Sequence, residues 1–338
     1  MKRHIITAGA LILTASLLAG CASAGGTDKN EKKTLDSFSC DAEGIYVIDY
    51  YADYKMDEYL AANIKTVEDF DAWMTTNLTH GVPTGDIPEM GCSSFASVSD
   101  GGDHLFGRNY DMYECDALVV RTDPEDGYAS IGIADMSHMN LGNGGNYDIT
   151  DESSRPLLLA APWCICDGIN EKGLGVSLLQ LSNEHVAEDT SNGDLLLYVA
   201  VRVLLDKCAN TGEAIDLLGN YDMYSGKPYS FHVFITDSSG RSVIAEWDEG
   251  GLVIVEDDAV TNFLLCSGKS DNDMRYTKIH KKIDGVSALT SEDAMGVLKF
   301  VNQGACWSAV YDLEKFSVDV CFNADYTKVY SYQGSSLT

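Results

Sequence analysis

Short segments in which apolar and polar positions alternate dominate the chain from residue 92 onward. The first two, "CSSFASV" and "HLFGRNY", flank the turn-forming residues 99–103 and predict a β-hairpin. Further strands are predicted for "ALVVR", "YASIGIA", "GLGVSLLQL", "YSFHVFITD", "RSVIAEW" and "GLVIVE". The last three predicted strands, "ACWSAVYDL", "KFSVDVCF" and "KVYSYQ", end the sequence.

Helical periodicity is limited to a few segments. Helices are predicted over residues 191–208, 211–219 and 290–302, and Thr290 or Ser291 is a suitable N-cap for the last of these. Before residue 92, "GIYVIDYYADY" predicts a strand and "MDEYLAANIKTVEDFDAWMTTNL" a helix. Many antiparallel strands with clustered helices are typical of an α+β layered sandwich.

The segment 34–91 differs in amino-acid pattern from the rest of the 338-residue chain. It holds too few apolar residues to fold alone, so we expect it to pack on the remainder. Its last part, "THGVPTGDIPEMG", is rich in glycine and proline and interrupts regular structure directly before Cys92.

The N-terminus predicts export. Two basic residues precede the apolar run 5–18, which is too short for a comfortable membrane span and ends in "LAGC". This tetrapeptide resembles the lipobox of bacterial lipoproteins, in which Cys21 would carry the lipid. Residues 1–20 would then be the signal peptide, and residues 21–33 a flexible tether to a bacterial cell surface. The alternative is an ordinary secretory signal with an incidental cysteine.

The charge limits the choice of partners. A formal net charge of −29 repels phosphate backbones, so no nucleic acid partner is expected. No C-x-x-C pair recurs, which argues against a structural zinc site, and the sequence suggests no organic cofactor or catalytic metal. Homo-oligomerisation stays open.

The hairpin brings reactive side chains together. Because paired positions of an antiparallel hairpin have a constant sum, a turn centred on residue 101 places Cys92 opposite Tyr110 and near Arg108 and Asp111. One interpretation is a nucleophilic thiol with charged neighbours. The other is a surface ion pair beside a buried cysteine.

A nucleophilic thiol needs a base. No histidine lies in a recognisable cysteine-protease context, and His232, inside an apolar strand, is interpreted as a core residue. A free α-amino group has a pKa of about 7.7–8.0 and can accept the thiol proton. Cleavage of the Gly91–Cys92 bond would therefore give Cys92 both nucleophile and base.

Four motifs, of which the hairpin around Cys92 is the first, carry a family resemblance. "GCSSFA" with "HLFGRNYDM", "DGINEKGLGVSLLQL", "VTNF" and "DMRYTK" follow one another in the chain. Together they resemble the N-terminal nucleophile hydrolases of the choloylglycine hydrolase and acid ceramidase-like group, the linear amide C–N hydrolases, over residues 92–335.

The resemblance implies a fold and a maturation route. The fold would be a four-layer αββα sandwich of two antiparallel sheets, formed by residues 92–338, with a helical N-terminal pro-segment over residues 34–91. Autocatalytic cleavage at Gly91–Cys92 would leave the pro-segment as a small chain. A disulfide from Cys40 to Cys321 or Cys306 is a hypothesis for how the small chain stays attached.

The resemblance also implies residue roles. Cys92 would be nucleophile and base, with Arg108 and Asp111 beside it. Asn262 would donate to the tetrahedral oxyanion, and Arg275 would contribute to the charge environment of the nucleophile. Gln180 stands where bile salt hydrolases have an asparagine, and its amide would donate to the substrate or the oxyanion with a longer reach. In the same motif, Asn170 and Gly173 are expected to be turn residues.

The implied reaction is hydrolysis of a linear, non-peptide amide in an N-acylated small molecule through a cysteine thioester. Fatty-acid amides, conjugated bile acids and phenoxyacetyl-type amides are the candidate substrates. An acyltransferase or a dipeptidase on the same scaffold is the alternative among enzymes. A lipoprotein that binds a ligand without catalysis is the alternative outside them.

Overall fold

The computed structural model describes residues 28–338 except 88, 113–114, 183–184, 249–250, 269–272, 336 and 338. The predicted signal peptide, the lipidation residue Cys21 and most of the predicted tether lie outside the described residues. Within the described part, no helix combines the length and apolar character needed to cross a bilayer.

Strands make up most of the regular structure. In chain order they are β1 (Ser39–Ala42), β2 (Ile45–Tyr50), β3 (Gly91–Val98), β4 (His104–Asp111), β5 (Ala117–Thr122), β6 (Ser130–Asp135), β7 (Ile165–Asn170), β8 (Leu174–Leu181), β9 (Gly193–Leu196), β10 (Tyr221–Tyr224), β11 (Ser230–Asp237), β12 (Ser242–Asp248), β13 (Gly251–Glu256), β14 (Ala259–Val260), β15 (Ala305–Asp312), β16 (Ser317–Phe322) and β17 (Tyr330–Gln333). The α-helices are α1 (Lys29–Ser37), α2 (Met56–Ala62), α3 (Val67–Asn77), α4 (Ala200–Lys207), α5 (Thr211–Leu218), α6 (Met274–Ile283) and α7 (Ser291–Val301).

Two large sheets form the centre of the molecule. One has nine strands in the order β1-β2-β5-β6-β7-β8-β11-β12-β13, and the other has six in the order β14-β3-β4-β15-β16-β17. Helices α4 and α5 pack on the first sheet, and α6 and α7 pack on the second. The sheets face each other, and Ser94 of β3 meets Ser177 of β8 across the interface at 2.9 Å. The predicted αββα sandwich is therefore confirmed.

The hairpin of β3 and β4 has the predicted register. Cys92 pairs with Tyr110, and Ser94 pairs with Arg108. Because side chains alternate along a strand, these four residues share the face that looks toward the nine-stranded sheet. The opposite face, with Phe95 and Asn109, packs against α6 and α7: Phe95 belongs to a second buried cluster with residues of both helices, and Asn109 donates to the main chain of α7.

The pro-segment contributes more than helices. Its strand β2 pairs in parallel with β5 and so lies inside the nine-stranded sheet, next to the edge strand β1. The single predicted helix over 56–78 is two helices, because Asn63 adopts a left-handed conformation and the Thr66 side chain caps a new helix. Helix α1 begins at Lys29, inside the predicted tether, with Asp28 as its N-cap.

The structure corrects the predicted start of one helix and agrees with one predicted turn. The helix predicted from residue 191 starts only at α4, because residues 193–196 form β9, which pairs in parallel with β10. An apolar run such as "LLLYVA" fits strand and helix equally well by periodicity alone. The turn between β7 and β8 has the expected residues: Gly173 has a φ of 80°, and the Asn170 side chain accepts hydrogen bonds from the amides of Lys172 and Leu174.

The disulfide hypothesis for the pro-segment is wrong. Cys306 is bonded to Cys115, which lies 191 residues earlier in the chain, so both partners belong to the proposed large chain. Cys40 is an exposed free thiol on the edge strand β1, and Cys321 is a buried free thiol on β16.

Candidate active site

The main chain of Cys92 is bound by side chains on the open side of its strand. Strand β14 is only two residues long and pairs with Ser94 and Phe95, so it ends before it reaches Cys92. The Cys92 amide instead donates to Oδ1 of Asn262 at 2.7 Å, and the Cys92 carbonyl accepts from Nη1 of Arg275 at 3.1 Å. Asn262 and Arg275, both predicted site residues, thus form hydrogen bonds with the backbone of the predicted nucleophile.

Arg108 reaches the sulfur of Cys92 from the neighbouring strand. Its Nη2 lies 3.0 Å from Sγ and 2.8 Å from the carbonyl oxygen of Leu178 on β8. Its Nε donates to Oδ2 of Asp167 on β7 at 3.3 Å, and both charged side chains are fully buried. The guanidinium is therefore fixed between the two sheets.

Asp167 was not assigned a role from the sequence. Besides Arg108, its carboxylate accepts hydrogen bonds from Nε1 of Trp307 at 3.0 Å and from the hydroxyl of Tyr311. Its position as the first residue of the "DGINEKGL" motif was the sequence feature from which a role could have been predicted. We interpret Asp167 as the counter-ion that holds the guanidinium beside the thiol.

The electrostatic environment does not make Cys92 a thiolate in the continuous chain. Burial raises the pKa of the Cys92 thiol, and the positive charges of Arg108 and Arg275 lower it by less than burial raises it. The carboxylate of Asp111 adds to the increase. The sulfur therefore needs a base to become a nucleophile at neutral pH.

Asn262 and Arg275 are oriented by their neighbours. Asn262 Oδ1 accepts a second hydrogen bond from Nη2 of Arg275 at 3.0 Å, and its Nδ2 donates to the carbonyl of Gln180 at 2.7 Å. Arg275 lies in the first turn of α6, and the N-cap residue Asp273 accepts hydrogen bonds from its amide and its guanidinium. Burial would raise the pKa of Asp273, but its bonds with Arg275 bring it below the usual value.

Asp111 joins the site from the other face of the sheet. It pairs with Gly91 rather than Cys92, so its side chain points toward the helices and not toward the sulfur. There its Oδ2 lies 3.5 Å from Nη1 of Arg275, and its Oδ1 accepts from the amide of Gln303 at 3.2 Å. Burial raises the pKa of Asp111, partly offset by these two neighbours.

The end of the pro-segment is bound by side chains of the nine-stranded sheet and its neighbourhood. The Met90 amide donates to Oε1 of Gln180 at 2.6 Å, and the Tyr229 hydroxyl donates to the carbonyl of Ile87 at 2.8 Å. The side chains of Ile87, Met90 and Cys92 are all buried. Gln180 is thus a neighbour of the predicted cleavage point in the continuous chain. Among the described residues, no group of three or more His, Cys, Asp or Glu side chains could hold a metal ion.

Comparison with known proteins finds a family model that matches part of the chain. Residues 159–280 match the family model of acyl-coenzyme A:6-aminopenicillanic acid acyl-transferase, a range that includes Gln180, Asn262 and Arg275. No curated protein matches the sequence.

Solved structures with the same fold include two variants of conjugated bile acid hydrolase from Clostridium perfringens. An arginine-to-leucine variant is 14% identical, with 72% of this chain and 92% of that chain covered and a TM-score of 0.53. A cysteine-to-alanine mutant is 15% identical, with 72% and 97% covered and a TM-score of 0.51. Penicillin V acylase from Agrobacterium tumefaciens is 15% identical, with 71% and 84% covered and a TM-score of 0.49. The chain thus has the fold of the N-terminal nucleophile hydrolases, and its match to the acyl-transferase family model confirms the predicted resemblance to the group that includes bile salt hydrolases and penicillin V acylases.

Proposed function

We propose that this protein cuts itself between Gly91 and Cys92 and then hydrolyses a linear amide bond in an N-acylated small molecule. One observation carries the proposal. The nitrogen, the sulfur and the carbonyl oxygen of Cys92 are each bound by a different side chain, from Asn262, Arg108 and Arg275. A strand residue that served only the sheet would have no need of all three.

The first step is the cut. Sγ of Cys92 attacks the carbonyl carbon of Gly91, the C–N bond to Cys92 breaks, and the thiol proton moves to the freed nitrogen. The product is a thioester between Gly91 and Sγ, which water hydrolyses to a carboxylate on Gly91 and a free thiol. Gly91 suits this step because it has no side chain to obstruct the attack.

The second step is turnover. The free amine of Cys92 takes the proton of Sγ, and the sulfur attacks the carbonyl carbon of the substrate amide. The ammonium then returns the proton to the leaving amine as the C–N bond breaks. Water, deprotonated by the same amine, attacks the thioester and releases the acid. In this scheme Arg108 stabilises the thiolate, and Oδ1 of Asn262 fixes the amine.

Stabilisation of the oxyanion falls to Asn262. One hydrogen of its Nδ2 is engaged with the Gln180 carbonyl, and the other is free to donate to the tetrahedral oxygen. Asp111 supports Arg275 from the far face of the sheet. Gln180, which binds the Met90 amide, becomes available to a substrate after the cut.

The substrate class follows from the resemblance and from the segment before Cys92, whose place an acyl group would take after the cut. The end of the pro-segment places Ile87 and Met90, both apolar and buried, on the acyl side of the bond that Cys92 attacks. An N-acyl amide with an apolar acyl part is therefore the favoured substrate. A lipid anchor at Cys21 and a place on the bacterial cell surface remain predictions from the N-terminal sequence.

An acyltransferase is the second candidate, and the matching family model favours it, since its description names an acyl-transferase. The two activities differ only in whether water or an amine takes the acyl group from Cys92. Release of free acid in the presence of competing amines would separate them.

The test combines intact mass with a substrate panel. We expect a fragment that begins at Cys92 and release of acid from at least one N-acyl amide, detected by mass spectrometry. The Cys92→Ala variant should stay uncut and inactive. Cys321→Ala is the matched control, because it removes a buried free thiol from the outer part of the same sheet. An active Cys92→Ala chain would refute the mechanism.

A further inference from the structure

A buried histidine and glutamate lie directly behind the loop that carries Asn262. His232 on β11 and Glu246 on β12 are both fully buried, and His232 Nδ1 lies 2.9 Å from Oε1 of Glu246. The other ring nitrogen, Nε2, lies 2.8 Å from the carbonyl oxygen of Thr261. The sequence alone indicated only a core histidine at this position.

The Thr261 carbonyl defines the role of one ring nitrogen. A carbonyl oxygen can only accept, so Nε2 of His232 must donate to Thr261. The Glu246 carboxylate also accepts from the amides of Leu265, at 2.9 Å, and Cys266, at 2.8 Å, so it is surrounded by donors. Burial would raise the pKa of Glu246, but its bonds to His232 and to these amides bring it below the usual value. The ring of His232 thus links Thr261 to Glu246.

This pair fixes the loop on both sides of Asn262. His232 holds the residue before it, and Glu246 holds the loop three and four residues after it. The Thr261 hydroxyl in turn donates to Oδ2 of Asp273 at 2.8 Å, and Asp273 binds the guanidinium of Arg275. Asn262 and Arg275, which contact the main chain of Cys92, are thus linked to one buried histidine–glutamate pair.

We propose that His232 and Glu246 are positioning residues for the reaction of Cys92: they touch no substrate and act by holding Asn262, and through Thr261 and Asp273 also Arg275, in place. This proposal rests on the proposed function. Buried polar pairs are seldom a source of stability, because desolvation offsets their attraction, and fixing a unique geometry is their better attested use.

The test is a double-mutant cycle with Glu246→Gln, His232→Gln and the double variant. Glutamine at 246 keeps the shape but turns one carboxylate oxygen into a donor that faces a backbone amide. Because a misplacement of about 1 Å can cost about 100-fold in rate, we expect Glu246→Gln to lower kcat by roughly 10- to 100-fold per cleaved chain, with KM little changed. His232→Gln keeps a donor for Thr261, so the double variant should lose less than the product of the two single losses.

Asp206→Asn is the matched control. It breaks a buried ion pair with Arg202 on α4, and the hydrogen bonds of this pair involve none of the site residues. We expect it to lower the melting temperature as Glu246→Gln does but to leave kcat per cleaved chain unchanged. An equal loss of kcat in both variants, or no loss in Glu246→Gln, would overturn the positioning role.

A readout that needs no turnover separates this proposal from the proposed function. In the uncut Cys92→Ala chain, hydrogen exchange at the amides of Leu265 and Cys266 reports how firmly the loop is held. We expect Glu246→Gln to speed exchange there by at least tenfold and Asp206→Asn to leave it unchanged. Unchanged exchange in Glu246→Gln overturns the positioning role. A wild-type protein that hydrolyses no N-acyl amide overturns the proposed function while the exchange result stands.

Discussion

The Asn262→Asp substitution separates two functions that are proposed for this side chain: binding the nitrogen of Cys92 and donating to the oxyanion. Oδ1 of Asn262 accepts from the Cys92 nitrogen and from Arg275, and aspartate preserves this acceptor with an added negative charge. Nδ2 is the only donor of the side chain, and aspartate removes it. The variant is therefore expected to hold the amine of Cys92 but not the oxyanion.

The size of the effect follows from the contacts. Loss of one oxyanion donor costs about 100- to 1,000-fold in kcat, or about 2.7–4 kcal/mol. In addition, the new oxygen would face the Gln180 carbonyl, which now accepts from Nδ2 at 2.7 Å, so two acceptors would meet without a hydrogen. That unsatisfied contact adds about 1–3 kcal/mol of destabilisation to the folded loop. We expect the loss in turnover to be at least 100-fold.

The assay measures acid release from the best N-acyl amide of the substrate panel, normalised to the amount of fragment that begins at Cys92. Asn262→Ala loses both functions. It should be at least as inactive as Asn262→Asp, and its precursor should also cut itself more slowly. Asn220→Asp is a matched control, since it adds the same charge beside the end of α5. If Asn262→Asp keeps kcat within about threefold of the wild type, Asn262 is not the oxyanion donor.

Three further predictions concern the attachment of the pro-segment, the Cys115–Cys306 disulfide and a buried carboxyl group in the pro-segment. Because Cys115 and Cys306 pair with each other 191 residues apart, the cut protein should run as two separate bands on a denaturing gel without reductant, and a single band that splits only on reduction would contradict this. In the loop-closure model, Cys306→Ser removes up to about 5 kcal/mol of stability, which a lower melting temperature would show. Asp71, which accepts from the Thr84 hydroxyl, has its pKa raised by burial to about 6, so the folded state binds this proton more tightly than the unfolded state does. The contribution of Asp71 to stability should therefore fall as the pH rises from about 4 to about 6, and Asp71→Asn should raise the melting temperature at pH 7.5 but hardly at pH 4. An equal gain at both pH values would show that Asp71 is not the titrating group.

The sequence predicts those parts of the site that depend on local pairing. The register of the β3–β4 hairpin follows from its turn, and with it the contact of Cys92 with Arg108. Strand alternation also decides on which face Asp111 lies, although the sequence interpretation counted it simply as a neighbour of Cys92. Motif order identifies Asn262 and Arg275 but not the atoms that they bind.

The remaining features depend on contacts between distant parts of the chain. Strand β14 is too short to show any periodicity, yet its early end is what leaves the backbone of Cys92 to Asn262. The pairing of Cys115 with Cys306 crosses 191 residues, and cysteine spacing contains no information on it. The buried ion pair of Arg108 with Asp167 joins β4 and β7, which belong to different sheets. His232 and Glu246 lie on the adjacent strands β11 and β12, but their contacts with Thr261 and Leu265 depend on how the later loop folds back.

The position of β2 has a consequence for how the working enzyme is assembled. A cut after Gly91 would leave this strand, now part of a separate chain, hydrogen-bonded to β5 within the nine-stranded sheet. Folding of the intact precursor is a first-order event, whereas refolding of the cut protein would require two chains to meet, so its rate should depend on concentration. After such a cut the small chain would act as a built-in folding template that is supplied once per molecule, and unfolding of the cut protein would become irreversible in dilute solution.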